Sequence, residues 1–143
     1  MFLHPTLLIA QIGEGGYSVV KKVTLKNNNK QAFAAKIIAK KTLTSSRERR
    51  ALHEEITTLQ VLDHPSIIRF HHAFEEKSQY YLVTDLMTGG SLSDHIASKK
   101  DQFKEADVSY IMSTLLDAVA YCHSHGIVHR DLKLENILLV VRL

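Results

Sequence analysis

The chain has 143 residues, 45% of them hydrophobic, with eighteen Lys and Arg against fifteen Asp and Glu for a net charge of +3. That length and apolar content suit one packed domain rather than a disordered chain, and a positive excess this small and scattered gives no ground for nucleic-acid binding. The single Cys122 excludes an internal disulfide and fits a reducing compartment.

No apolar run approaches the ~18 residues of a membrane span. The start, MFLHPTLLIA, lacks a basic leader and is interrupted by Pro5, so it does not read as a signal peptide, and a cytoplasmic or nuclear location is expected. In chain order, TLLIAQIG predicts a strand ending at Gly13, and VVKKVTL and QAFAAKII predict two more around the turn NNNK. A helix follows, capped by Ser45 or Ser46, with Leu52, Ile56 and Leu59 at helical spacing and Pro65 past its end. IIRFHHAFEE and QYYLVTDL read as two further strands joined near Lys77 and Ser78. After the break TGG, SLSDHI opens a short helix with Ser91 and Asp94 spaced as a capping pair. The longest helix is expected over residues 105–125, with Val108, Ile111, Met112, Leu115, Leu116 and Val119 as its apolar stripe and Gly126 as its stop. GIV reads as a short strand, and ILLVV as a second short apolar run. Five strands with one helix, then helices, predict an α+β chain of two unequal lobes, residues 1–88 and 89–143.

Three features suggest chemistry. In IGEGGYSVV, glycines let backbone amides approach phosphate oxygens closely, although an ordinary hairpin explains Gly13 and Gly15 as well. A dinucleotide fold would require a helix directly after the glycines, and Val19, Val20, Val23 and Leu25 are strand residues instead. Lys36 shares a strand face with Ala34 and Ile38. A small residue beside it leaves room for a flat purine, and its ammonium could meet phosphate; the bland alternative is a lysine reaching into solvent. Of the adjacent acids Glu54 and Glu55, Glu55 lies about 70° from the inward direction of its helix and Glu54 about 170° away, so only Glu55 can turn to meet Lys36.

The third feature, HRDLKLEN, supplies Asp131 to accept a hydrogen bond from an incoming hydroxyl. It also supplies Lys133 to neutralise phosphoryl charge and Asn136 as a neutral oxygen suited to magnesium. At these residues the sequence resembles the eukaryotic protein kinase family, from about Ile12 to about Leu139. The resemblance implies a kinase-like bilobal fold with a complete small lobe and the first part of the helical large lobe. It implies ATP and Mg2+ as cofactor and ion, and a protein substrate with Ser or Thr. By that likeness Ile12, Gly13, Gly15, Ser18, Val20 and Ala34 line the nucleotide site. Lys36, paired with Glu55, meets the α and β phosphates. LVTDLMTGGSL looks like the hinge, with Thr84 as gatekeeper and the backbones of Asp85 and Met87 on the adenine. Asp131 and Lys133 would be catalytic and Asn136 a metal ligand, and a Lys at 133 resembles the serine/threonine kinases. FAAKII, LDHPSIIRF and YCHSHGIVHRDLKLEN look most like the calcium/calmodulin-dependent group. In the resembled family Phe70, Leu59 and His129 belong to one hydrophobic stack.

Two departures stand out. Ser91 occupies a place where relatives often carry a Glu near the ribose. The sequence also stops seven residues after Asn136 with no further Asp, whereas a metal-binding Asp-Phe-Gly is due about a dozen residues after that Asn. Phosphoryl transfer by this chain is therefore expected to be severely slowed, and the 105–125 stripe to be partly bare. The rival reading is an inactive nucleotide-binding or protein-interaction fragment, with that stripe as the docking surface.

Overall fold

A computed structural model describes residues 5–15, 18–25, 28–98 and 104–140, with backbone alone at 5–9, 25 and 28–30. The chain divides into two compact units, residues 1–62 with 68–86, and residues 63–67 with 87–143.

The first unit is a five-stranded antiparallel sheet with one helix. Strands β1 (Pro5–Gly15), β2 (Ser18–Leu25), β3 (Asn28–Ala39), β4 (Phe70–Glu75) and β5 (Gln79–Asp85) lie in the order β1-β2-β3-β5-β4. Pro5 opens an edge strand, where its missing N–H costs no ladder bond. β1 continues past its expected end at Gly13, because Gly13, Glu14 and Gly15 pair with Val20, Val19 and Ser18. The expected NNNK turn is shorter than read: Asn28 and Asn29 already belong to β3, while Lys26 and Asn27 lie outside the described residues.

Alternation along the strands builds two cores. Val23, Phe33, Ala35 and Val83 form one, with Phe74 against it. Ile38, Leu52 and Leu82 form the other, with Leu43, Ile56, Leu59, Phe70 and Tyr80 packed on it. The second covers the face that receives helix α1 (Ser46–Val61). Ser45 caps α1: its Oγ accepts the Glu48 N–H at 3.1 Å, and the Glu48 carboxylate accepts the Ser45 N–H at 2.8 Å. Phe70 and Phe74 are four apart and would share a face in a regular strand. They sit in opposite cores because the β4–β5 register slips: Phe70 faces Thr84 and His72 faces Val83, leaving His71 as an extra residue.

In the second unit, α2 (Leu92–Ser98) is capped by the expected pair, with the Asp94 N–H donating to Ser91 Oγ at 3.1 Å and the Ser91 N–H to Asp94 Oδ2 at 3.2 Å. The long helix is α3 (Glu105–Ser124). It closes with Gly126 at φ +70°, the Gly126 N–H on the His123 carbonyl at 3.0 Å and the Ile127 N–H on the Cys122 carbonyl at 2.9 Å. A left-handed residue there suits glycine, and the paired bonds satisfy carbonyls the helix end would orphan. GIV forms no strand; the Ile127 N–H is spent on that closure and no described strand pairs with the run. Among the described residues of ILLVV, only Leu138 makes a bridge, to Ser91. Residues 63–67 join this unit: the Asp63 N–H donates to the Tyr121 hydroxyl at 3.1 Å, and His64 Nε2 meets Asp117 Oδ2 at 3.2 Å.

Half of the α3 stripe is open, with Val108 47%, Met112 45% and Leu116 59% exposed, while the one buried residue of the helix, Ala118, lies outside the expected stripe. Among the described residues no helix is long and apolar enough to cross a membrane.

Candidate active site

In the first unit, strand pairing assembles most of the expected nucleotide residues on one face. Directly opposed residues share a face, so Gly13, Val20, Lys36 and Leu82 form a row across β1, β2, β3 and β5. Ala34 and Thr84 pair with each other one step along on the same face. Gly15 pairs with Ser18 at the hairpin mouth, where a Cβ on Gly15 would stand 3.2 Å from Ser18 Oγ. Ile12 is half exposed beside them.

Lys36 does not hang free. Its Nζ donates to Glu55 Oε1 at 2.6 Å, with the two side chains 38% and 41% exposed. Glu55 is half-buried on the inner side of α1, and Glu54 is exposed. Asp85, the last residue of β5, is tied on two sides: its N–H donates to the Arg69 carbonyl at 3.0 Å, and its Oδ1 meets His71 Nε2 at 2.6 Å. Thr84 Oγ1 donates to the Asp85 carbonyl at 3.3 Å.

In the second unit the HRDLKLEN segment folds on itself around Asp131. Asn136 Nδ2 donates to the Asp131 carbonyl at 2.7 Å and to Asp131 Oδ2 at 2.9 Å. Lys133 Nζ lies 3.0 Å from the same oxygen. The hydrogen bond from Lys133, then that from Asn136, hold the Asp131 carboxyl below the usual carboxylate range. Both donors use Oδ2, so Oδ1 accepts from no described group and is open to an incoming donor. The Asp131 N–H donates to His129 Nδ1 at 3.2 Å. Arg130 between them has φ +65°, a costly left-handed backbone for a residue with a side chain, and such strain gathers at functional loops.

The loop is clamped downstream. The Leu92 N–H donates to the Ile137 carbonyl and the Gly89 N–H to the Leu139 carbonyl, both at 2.8 Å, and the Leu139 N–H to the Gly90 carbonyl at 2.9 Å. Met87, half-buried, leads into this clamped stretch. Ser91 spends its hydroxyl within α2's cap, on Asp94 Oδ2 at 2.6 Å.

A model of the protein kinase domain matches residues 7–142. The chain belongs to the protein kinase family. Its 129 aligned residues, 90% of the chain, are 45% identical to a calcium/calmodulin-dependent protein kinase type II of Caenorhabditis elegans. They are 44% identical to the protein of the same description in Caenorhabditis briggsae, again over 90% of the chain. A probable myosin light chain kinase of Dictyostelium discoideum is 47% identical over the same share of the chain. The chain spans only 18%, 24% and 39% of those three relatives. Within a kinase domain, the five-stranded unit with α1 is the small lobe, and the second unit is the first part of the helical lobe.

Sequence reasoning passed over two parts of this kinase domain. It did not foresee that residues 88–92 pair with 137–140, a contact between segments far apart in the chain. It also did not single out His71, whose only signal was a His-His doublet inside an apolar run.

Proposed function

We propose that these residues form the nucleotide-holding and catalytic part of a protein serine/threonine kinase, which transfers the γ-phosphoryl group of ATP to a Ser or Thr hydroxyl of a protein substrate. The observation that carries this reading is the Asp131 carboxylate, kept anionic by Lys133 and Asn136 through one oxygen while the other stays open. An anion with a free lone pair can orient a hydroxyl and take its proton as the hydroxyl oxygen attacks the γ-phosphorus; the bond to the β–γ bridging oxygen breaks and ADP leaves. Lys133 lies beside Asp131 to offset charge on the group in transfer.

In the first unit, Gly13, Gly15 and Ser18 present backbone to the phosphates. Ile12, Val20 and Ala34 offer apolar surface to the purine, and Thr84 bounds its depth. The Asp85 carbonyl serves as an adenine acceptor. Lys36 holds the α and β phosphates, its ammonium positioned by Glu55. The Met87 backbone supplies the remaining adenine contact.

Magnesium suits Asn136: both amide N–H groups go to Asp131, which leaves Oδ1, a hard neutral ligand, facing away from that carboxylate. One such oxygen is a partial site, and no cluster of three or more His, Cys, Asp or Glu able to hold a metal occurs among the described residues. When bound, the ion neutralises charge on the phosphate oxygens.

Two assays test this reading. Grafted in place of the matching 129 residues of the nematode relative, the chain is expected to support phosphorylation of Ser peptides. Asp131→Ala should lower kcat by about two orders of magnitude or more, as loss of a general base does. A graft that binds ATP yet transfers nothing above the Asp131→Ala background would instead support the binding-module reading, which the open α3 stripe favours. Assayed alone with MgATP, the 143 residues carry no Asp beyond Asp131 and are expected to turn over no faster than Asp131→Ala.

A further inference from the structure

Two independent features meet at the end of β5. One is the slipped register that leaves His71 as an extra residue in β4. The other is the 2.6 Å contact between His71 Nε2 and Asp85 Oδ1. A bulge spends a ladder position, and one common use is to re-aim a side chain. Here it sends Phe70 into the α1-side core while turning His71 to the other face. On that face the imidazole packs edge-on against Phe33, ring centroids 5.0 Å apart and planes at 80°. Phe33 is 4% exposed and is the β3 partner of Asp85. The His71 and Asp85 side chains are 27% and 41% exposed, so their contact is only partly open to water.

We infer that His71 is a positioning residue for the nucleotide site: through the Asp85 side chain it fixes the backbone at the end of β5 from the sheet face opposite Lys36. The inference rests on the proposed role of the Asp85 carbonyl as an adenine acceptor. The geometry follows from how Asp85 is tied. Its N–H is held by the Arg69 carbonyl and its carboxylate by His71. With both held, the Cα frame from which the Asp85 carbonyl projects is fixed, and the range of that carbonyl is narrowed. Among the described residues, only the weak 3.3 Å contact from Thr84 Oγ1 competes for that oxygen. Without His71 the Asp85 side chain loses its anchor, and the carbonyl samples orientations that a planar base cannot use.

The test uses the 143-residue chain and two readouts: affinity for a fluorescent ATP analogue, and amide hydrogen exchange across residues 84–87. His71→Phe keeps a ring against Phe33 and removes the donor. It is expected to weaken nucleotide binding about three- to tenfold, the worth of one such hydrogen bond. It should also speed exchange at 85–87 while leaving the melting temperature nearly unchanged. His71→Gln, whose amide nitrogen reaches about as far as Nε2, should restore both. In an Asp85→Ala background, His71→Phe should change nothing further. Unchanged affinity and exchange in His71→Phe would overturn the inference, as would a Gln variant as impaired as the Phe variant. Should the Phe variant fail to fold, Asp85→Ala alone decides, by faster or unaltered exchange at 85–87. If the unmodified chain binds no nucleotide, the functional reading falls, yet exchange at 85–87 still reports whether His71 fixes the strand end.

Discussion

Asp131 shows how few groups set the chemistry of a loop. Its carboxylate is well exposed, so the hydrogen bonds from Lys133 and then Asn136, which lower its pKa, outweigh the opposing effect of burial. A depressed folded pKa means that any stability the ionised form lends is present above the unfolded value, about 4, and is lost as pH falls through the lower folded value. A carbon-13 NMR titration should therefore place the Asp131 midpoint below that of an ordinary aspartate, and Lys133→Met should move it upward. Glu48 follows the same sign, lowered first by the Ser45 backbone hydrogen bond and then by the Ser45 hydroxyl. The capping box is accordingly intact at neutral pH and loosens in acid. Ser45→Ala is expected to cost ~1 kcal/mol in urea denaturation. Lys36 is a different case. Its partner Glu55 is 41% exposed, so water screens the pair, and Lys36→Met should cost less than about 1 kcal/mol of stability. The same change should sharply weaken ATP binding in a thermal-shift titration; unchanged binding would place the nucleotide elsewhere.

At the scale of an element, two amphipathic helices have opposite consequences. α1 lays Leu52, 5% exposed, into the core of the sheet with Ile56 and Leu59 beside it. Leu52→Ala should cost about 2–5 kcal/mol, the loss of burial plus the cavity left behind. α3 carries a longer stripe, but Leu116 is 59% exposed, so Leu116→Lys should change stability by no more than about 0.5 kcal/mol. Ala118 on the same helix is 7% exposed, and Ala118→Leu should overpack its site at about 1–3 kcal/mol. Equilibrium denaturation of the three variants side by side checks the contrast. Periodicity marks α3 as amphipathic, but only packing reveals which of its apolar residues are covered.

At the scale of the molecule, the burial is uneven. The fully buried large side chains, Leu82, Val23 and Val83, all belong to the sheet. Hydrogen exchange should accordingly be slowest in β2, β3 and β5 and faster in α3, within the described residues. The sequence by itself determined what depends on neighbours within a turn or two. That covers a serine cap at 45 or 46, the Ser91 cap, the helical faces that separate Glu55 from Glu54, the stop at Gly126, and the contiguous loop that gathers Asp131, Lys133 and Asn136. Only the tertiary structure decided the insertion of β5 between β3 and β4, the slip at His71, and the row from Gly13 to Leu82. It also decided the clamp of 137–140 on 88–92, and the coil at GIV where a strand was expected. These depend on hydrogen-bond partners tens of residues away. A strand's alternation states which side chains share a face but not which strand lies beside it, and a bulge reverses even that alternation without leaving a mark in the pattern of apolar residues.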